Sequence, residues 1–297
     1  MKTNTKGIFL ALAAAFAVSN VYIFSKSALN EVHLAQFGTL WFGLGIIWNL
    51  IFIIATKKYK KIIFLEKRSW AILSLIASLE MFGTIFFFLS VNTVENPATV
   101  SFLANINPLL IATLGFVVLK ERFNILEGIG MLVTLTGAFI ISYKGGGINN
   151  FFIEGSQYVF ISGIIYAFST VIAKRNIKKL DPSFLALARI LFLFTASVAA
   201  LFYFGLGLRI PSSALVNIGI GSVLGPFLTG TLGYFTLKFI DASKASMIGT
   251  SRSLFVLLGA FVIFDKVPAS IQLIGGSFTI LGVILISTGK LKNKANG

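Results

Sequence analysis

The chain contains no cysteine. Disulfides, thiolate nucleophiles and Cys-ligated metal sites are therefore excluded together. A single histidine, His33, cannot build a His-based zinc site. Charge is also scarce: Asp, Glu, Lys and Arg make up 12% of the 297 residues, against about 25% in a soluble domain. Acidic residues are the scarcest, ten against 25 Lys and Arg, which leaves a net charge of +15. In a soluble protein such a balance points to nucleic acid. Here the basic residues fill short gaps between apolar runs, so they read as topology signals and contacts with anionic lipid, and no nucleic-acid partner is expected. No phosphate-binding loop is present either. The one glycine run, Gly145-Gly146-Gly147 after Lys144, is not followed by Lys-Ser or Lys-Thr, which argues against ATP-driven transport by this chain alone. No cofactor and no metal are expected.

What the chain has in excess is apolar surface. Hydrophobic residues make up 56%, with 31 Phe and 28 Gly. That composition suits helices packed in lipid, with small residues at close helix contacts and large apolar ones against acyl chains. A hydrocarbon core needs about 20 apolar residues per helix. On that ruler the chain predicts ten spans, at 7–25, 34–55, 70–90, 98–119, 125–142, 155–173, 182–204, 214–238, 243–264 and 269–289. The Lys-bearing start, Met1 to Gly7, reads as the entry to the first span rather than as a signal peptide, because further spans follow.

Lys and Arg divide unevenly between the two sets of connections. Nineteen fall on one side, including Lys57, Lys58, Lys60, Lys61, Lys67 and Arg68, and four on the other: Lys26, Lys144, Arg209 and Lys266. The positive-inside rule places the richer side, and with it both termini, in the cytoplasm. The last two, Arg189 and Arg252, lie inside spans.

The two halves repeat one another. Gly115-Phe116-Val117-Val118-Leu119-Lys120-Glu121 aligns with Gly259-Ala260-Phe261-Val262-Ile263-Phe264-Asp265. After a one-residue insertion Gly130 meets Gly275 and Gly137 meets Gly282, and Gly83-Thr84 meets Gly230-Thr231 upstream. Five spans per half is an odd number, so the second half enters from the opposite side, the inverted duplication common among secondary transporters. The fold class expected is an all-α membrane protein of ten transmembrane helices in two inverted five-helix repeats, 1–145 and 146–297.

The chain resembles the EamA-like branch of the drug/metabolite transporter superfamily over essentially its whole length. The resemblance rests on Asn107-Pro108-Leu109, then Leu119-Lys120-Glu121-Arg122-Phe123 and Gly128 to Gly137, and on Pro182 with Arg189 seven residues later. The second half departs from the pattern: Ser251-Arg252-Ser253 stands where the family carries Pro, and Asp265 replaces its Glu. The resemblance implies export or exchange of small metabolites, a central cavity lined by helices one, three, four, six, eight and nine, and a bacterial inner membrane.

Charges at mid-bilayer cost at least about 2.5–3.5 kcal/mol on insertion scales and normally face a bundle interior. Glu80, mid-way along the third span, and Arg252, mid-way along the ninth, are the leading site candidates. Arg252 would hold an anionic group of a substrate, and Glu80 a proton or a cationic group. The two could equally pair with each other. Arg189 lies about 10 Å deep, where an Arg can snorkel to the headgroups. Polar stripes add Asn20 in the first span, Ser101, Asn105 and Pro108 in the fourth, Tyr158, Ser162, Tyr166 and Ser169 in the sixth, and Ser246, Gly249 and Ser253 in the ninth. Asn107 adds polarity beside Pro108, which is expected to free a backbone carbonyl there. Gly225-Pro226 is expected to break the eighth span. Trp41, Trp48 and Trp70 read as interfacial aromatics.

The function expected is a secondary transporter of a small organic metabolite, an amino acid or related solute, exported by alternating access. Its substrate-binding residues would be Glu80, Arg252, Asn20, Asn105, Pro108, Tyr166 and Ser253. Protons or a counter-substrate are the coupling candidates, and membrane lipids the surroundings. The alternative is a lipid or lipid-linked substrate flippase on the same scaffold. A membrane enzyme is not expected, since His and carboxylates do not cluster at one interface.

Overall fold

The structure is a computed structural model. It describes residues 3–60, 65–94, 100, 103–142, 154–256 and 270–293. Among these, all regular structure is helical. The elements are α1 (Thr3–Leu29), α2 (Leu34–Ala55), α3 (Lys67–Thr93), α4 (Ile106–Leu119), α5 (Ile125–Ser142), α6 (Ser156–Asn176), α7 (Pro182–Tyr203), α8 (Ser212–Ser222), a π-helical segment (Val223–Thr229), α9 (Gly230–Phe239), α10 (Ala242–Gly249), a helical turn at 252–256 and α11 (Ser270–Asn293).

Six stretches are long and apolar enough to cross a membrane: Asn4–Leu29, Leu34–Ala55, Lys67–Thr93, Ser156–Asn176, Pro182–Tyr203 and Ser212–Phe239. Shorter apolar helices run over Ile106–Leu119, Ile125–Ile140 and Leu273–Ile286. Phe9, Ile54, Val117 and Leu132 stand exposed on them, as lipid-facing side chains do. The chain is an integral, multi-pass membrane protein. The expected spans at 34–55 and 125–142 coincide with α2 and α5. Two others differ in detail. In the stretch expected to be one helix from 98, Val100 and Leu103 are helical and a turn at 104–105 precedes α4, and α10 stops at Gly249 before the turn at 252–256. Ser101, Lys144, the glycine run and the stretch Gly259 to Asp265 lie outside the described residues.

Pro108 follows the turn at 104–105 rather than lying within a continuous helix. It sits in the first turn of α4, where its missing N–H is no loss. The Ala104 carbonyl, four residues back, accepts the Asn107 N–H at 3.1 Å instead, so no carbonyl is freed there. Pro226 does perturb its helix. It lies within the π segment, where the wider turn absorbs a residue that cannot donate, and the Thr229 hydroxyl donates to the Leu224 carbonyl at 2.9 Å.

Helix ends gather at two opposite faces. At the face carrying Lys57 and Lys58, the Lys58 ammonium lies 3.5 Å from the Asp181 carboxylate, donates to Ser183 Oγ at 2.8 Å and sits over the Phe235 ring at 4.2 Å. The Glu121 carboxylate accepts the backbone N–H groups of Ala242 at 2.7 Å and Ser243 at 3.1 Å, with the Ser243 hydroxyl. It thereby caps the electropositive start of α10. Lys244 pairs with Glu127 at 2.6 Å, and Lys174 donates to the carbonyls of Leu237 and Ile240 at the end of α9. At the other face Lys26 donates to the Val91, Asn92 and Val94 carbonyls at the end of α3, and Gln36 donates to the Gly207 carbonyl. The start of α1 meets Phe239 and Ile240 at the Lys-rich face, whereas the start of α6 meets Thr93 and Val94 at the other.

The main packing pairs are α5 with α11, α3 with α6 and α7, α2 with α7, α4 with α6 and α10, and α1 with α8, the π segment, α9 and α10. In the first of these Gly130 abuts Gly282 and Ile286, while Gly137 abuts Gly275 and Thr279. Residue numbers rise on one helix as they fall on the other, so α5 and α11 are antiparallel. Thr134 and Thr279 turn their hydroxyls back onto their own helices, to Gly130 and Gly275 carbonyls.

Candidate functional site

A cavity of about 230 Å³ lies between the helices. Its walls come from Val18 and Tyr22 of α1, Trp41 and Phe42 of α2, Glu80, Thr84 and Phe88 of α3, Asn107 of α4, Ser162, Gly163 and Tyr166 of α6, Arg189 of α7, Pro226 and Thr229 of the π segment, and Arg252. On α2 and α6 the lining residues belong to the half away from the Lys-rich face, and on α3 to its middle and that same far half. The cavity is thus displaced toward the Lys-poor face.

Its polar wall is a connected network. Glu80, 7% exposed, accepts the Ser169 hydroxyl at Oε1, 2.6 Å away. Its Oε2 lies 3.2 Å from Arg189 Nε. Arg189 Nη2 donates to Thr84 Oγ1 at 3.2 Å, and Thr84 shares a hydrogen bond with the Tyr166 hydroxyl at 2.7 Å. The Ser162 hydroxyl donates to the Gly83 carbonyl at 2.8 Å, tying α6 to α3 beside the cluster. A buried ion pair survives in low dielectric only with good geometry and satisfied remaining groups; Ser169 and Thr84 supply hydrogen bonds here, while Arg189 Nε faces Glu80 at 3.2 Å without hydrogen-bond geometry.

Arg252 forms a separate pole. Its Nη2 donates to Asn105 Oδ1 at 3.1 Å, and Asn105 Nδ2 reaches Ser253 Oγ at 3.5 Å. Its Nε is buried without a hydrogen-bond partner, as is Asn107 Oδ1. Much of the remaining wall is apolar, with Trp41, Phe42, Phe87 and Phe88 beside Val18, Val21 and Val159. Trp41, 1% exposed, packs against Phe37 at 4.8 Å between ring centroids, and a Cβ on Gly221 would strike its indole.

Of the expected site residues, the structure brings Glu80, Arg252 and Tyr166 to the cavity. Asn105 and Ser253 stand behind Arg252, fully buried. Pro108 is buried at the start of α4, outside the lining, and Asn20 turns back to the Phe16 carbonyl at 2.9 Å. Three expectations are corrected. Glu80 pairs with Arg189, not with Arg252, because α3 packs on α7. Arg189 accordingly points inward and does not snorkel. Trp41 is likewise a core residue rather than an interfacial one. Arg189, Thr84 and Trp41 were missed as site residues. The available signal for Arg189 was Glu80 itself, a mid-span carboxylate that needs a cation at its own depth.

Comparison with known proteins follows the same lines. The sequence pattern of the EamA-like transporter family matches residues 5–143 and again 154–288. The chain is 26% identical over 259 residues to the uncharacterized transporter YyaM of Bacillus subtilis (strain 168), covering 83% of this chain and 82% of that one. It is 26% identical over 253 residues to an uncharacterized transporter of Archaeoglobus fulgidus, covering 80% and 86%. A protein of known crystal structure superposes with a TM-score of 0.78 at 15% identity, over 95% of this chain and 98% of its own, a likeness of fold.

Proposed function

Taking as premise that the chain belongs to the EamA-like transporter family, we propose that it is a secondary transporter that carries a small organic solute through the central cavity by alternating access. The observation that carries this reading is the cavity itself: about 230 Å³, walled by aromatics, with Glu80, Arg189 and Arg252 at its polar poles. Arg252 meets an anionic group of the solute, and Asn105 and Ser253 hold that guanidinium in place. Glu80 is the protonatable member, and proton or counter-substrate coupling runs through its pair with Arg189.

Ten spans in two inverted halves, 1–145 and 146–297, give this mechanism its geometry. Three observations support the duplication. The family pattern occurs once in each half. The alignment that equates Gly130 with Gly275 and Gly137 with Gly282 makes the α5–α11 seam its own mirror, since Gly130 touches Gly282 and Gly137 touches Gly275. Other pairs recur in exchanged form: α3 with α6 answers α8 and α9 with α1, and α4 with α6 answers α10 with α1. With the Lys-rich face in the cytoplasm, the cavity lies toward the outside and the ion pairs of Lys58, Glu121 and Lys244 close the inner face, as in an outward-facing state of an exporter. A bacterial inner membrane is the setting in this reading. No observation favours the flippase alternative.

The test is counterflow of amino acids and related acids into proteoliposomes. Glu80→Gln and Arg252→Ala are each expected to lower the rate at least about tenfold, the loss of one charge-assisted contact, while the protein still elutes as a single folded species. Unchanged transport in both variants removes the site assignment.

A further inference from the structure

Three of the described residues lining the cavity are charged: Glu80, Arg189 and Arg252. The first two form an ion pair and cancel. Both Glu80 oxygens are taken, one by Ser169 and one by Arg189, so the carboxylate has no open face for a cationic group. Arg252 has no such partner. Among the described residues no carboxylate pairs with it. Its hydrogen bond goes to an uncharged amide oxygen, and its Nε is buried without an acceptor. Among the described residues, the acids that meet α10, namely Asp241, Glu121 just after α4 and Glu127 on α5, are engaged by Lys244 and by the start of α10. The described wall therefore carries one positive charge more than it balances.

While the cavity is wet, water reaches the part of that guanidinium that lines it, although not the buried Nε. When it closes around a solute the water leaves, and an unpaired charge in low dielectric is strongly disfavoured. A solute oxyanion meets the Arg fork with two parallel hydrogen bonds. A zwitterion brings the same oxyanion, but among the described lining residues its ammonium finds uncharged acceptors such as the Asn107 amide oxygen and no free carboxylate. A cation adds repulsion to the existing excess. Resting on the transport reading above, we propose that the cavity selects a mono-anionic organic solute, an oxyanion head on an apolar body without a compensating amine, over the zwitterion or the amine of the same skeleton. Trp41, Phe42 and Phe88 receive the apolar body.

The test compares ligands that share a skeleton and differ in charge. The purified full-length protein is titrated, by thermal shift and then by counterflow in proteoliposomes, with 4-methylpentanoate, L-leucine and 3-methylbutylamine, and with 3-phenylpropanoate, L-phenylalanine and 2-phenylethylamine. The expected result is that the carboxylate of at least one series binds at least about tenfold more tightly than its two partners. Arg252→Gln is expected to bring all three within about twofold, and Arg252→Lys to keep part of the preference, because the charge stays and the fork is lost. A zwitterion or amine that binds wild type as tightly as its carboxylate overturns the charge selection and leaves the transporter reading standing. A carboxylate preference that survives in Arg252→Gln overturns the role of Arg252. Absence of binding by all six ligands overturns the cavity as a binding site, and both readings with it.

Discussion

The two buried arginines differ in what each would leave behind if removed. Arg189 balances Glu80 at 3.2 Å. Arg189→Met strands a buried carboxylate, and the expected loss is about 3–5 kcal/mol of stability, read as a fall in thermal unfolding temperature in detergent. Adding Glu80→Gln to that variant recovers most of the loss, since the stranded charge is then gone. Arg252→Gln strands no acid among the described residues, and its unfolding temperature is expected to stay close to wild type while transport falls. A large drop with Arg252→Gln, or none with Arg189→Met, contradicts this division of roles. The sequence exposes Glu80 and Arg252 because each interrupts an apolar span at its middle. It conceals the partner of Glu80. Depth along a helix is legible from residue count, but the direction in which Arg189 points depends on α7 packing against α3. A side chain of that length at that depth can reach the headgroups or the interior equally well.

At the scale of elements, the α5–α11 seam is held by backbones in contact. A Cβ on Gly137 would lie 2.5 Å from the Thr279 nitrogen and 2.6 Å from the Gly275 oxygen. Neither is a flexible chain end, so the helices must part. Gly137→Ala is expected to lose about 1–3 kcal/mol, measured by thermal unfolding. Gly233→Ala, with nothing within 4 Å of its added carbon, is expected to be neutral or to gain up to about 1 kcal/mol from helix propensity. In the sequence the glycine spacing reads only as a repeat; that the two glycine sets meet each other across one seam is not legible there, because it depends on which helices pack together. The π segment was half visible. Gly225-Pro226 marks a break, but whether a proline kinks, starts or widens a helix depends on its register to the turn. Pro108, preceded by Asn107, stands in the first turn of a helix instead.

For the molecule as a whole, the Lys-rich face is the tied one. Lys58 bridges from the end of α2 to Asp181 and Ser183 at the start of α7, and Glu121 bridges from the end of α4 to the start of α10. Lys58→Ala is expected to shift the protein toward opening at that face, seen as greater thiol labelling of a cysteine placed there. Alternating access itself is tested most directly at Gly163. It lines the cavity, its added carbon would meet nothing closer than 3.8 Å, and the chain has no native cysteine to compete. In Gly163→Cys proteoliposomes, a membrane-impermeant maleimide applied from either side is predicted to label the same thiol during turnover, with substrate slowing both reactions. Labelling from one side alone under turnover, or labelling that substrate leaves unchanged, would contradict a central cavity that opens to each face in turn.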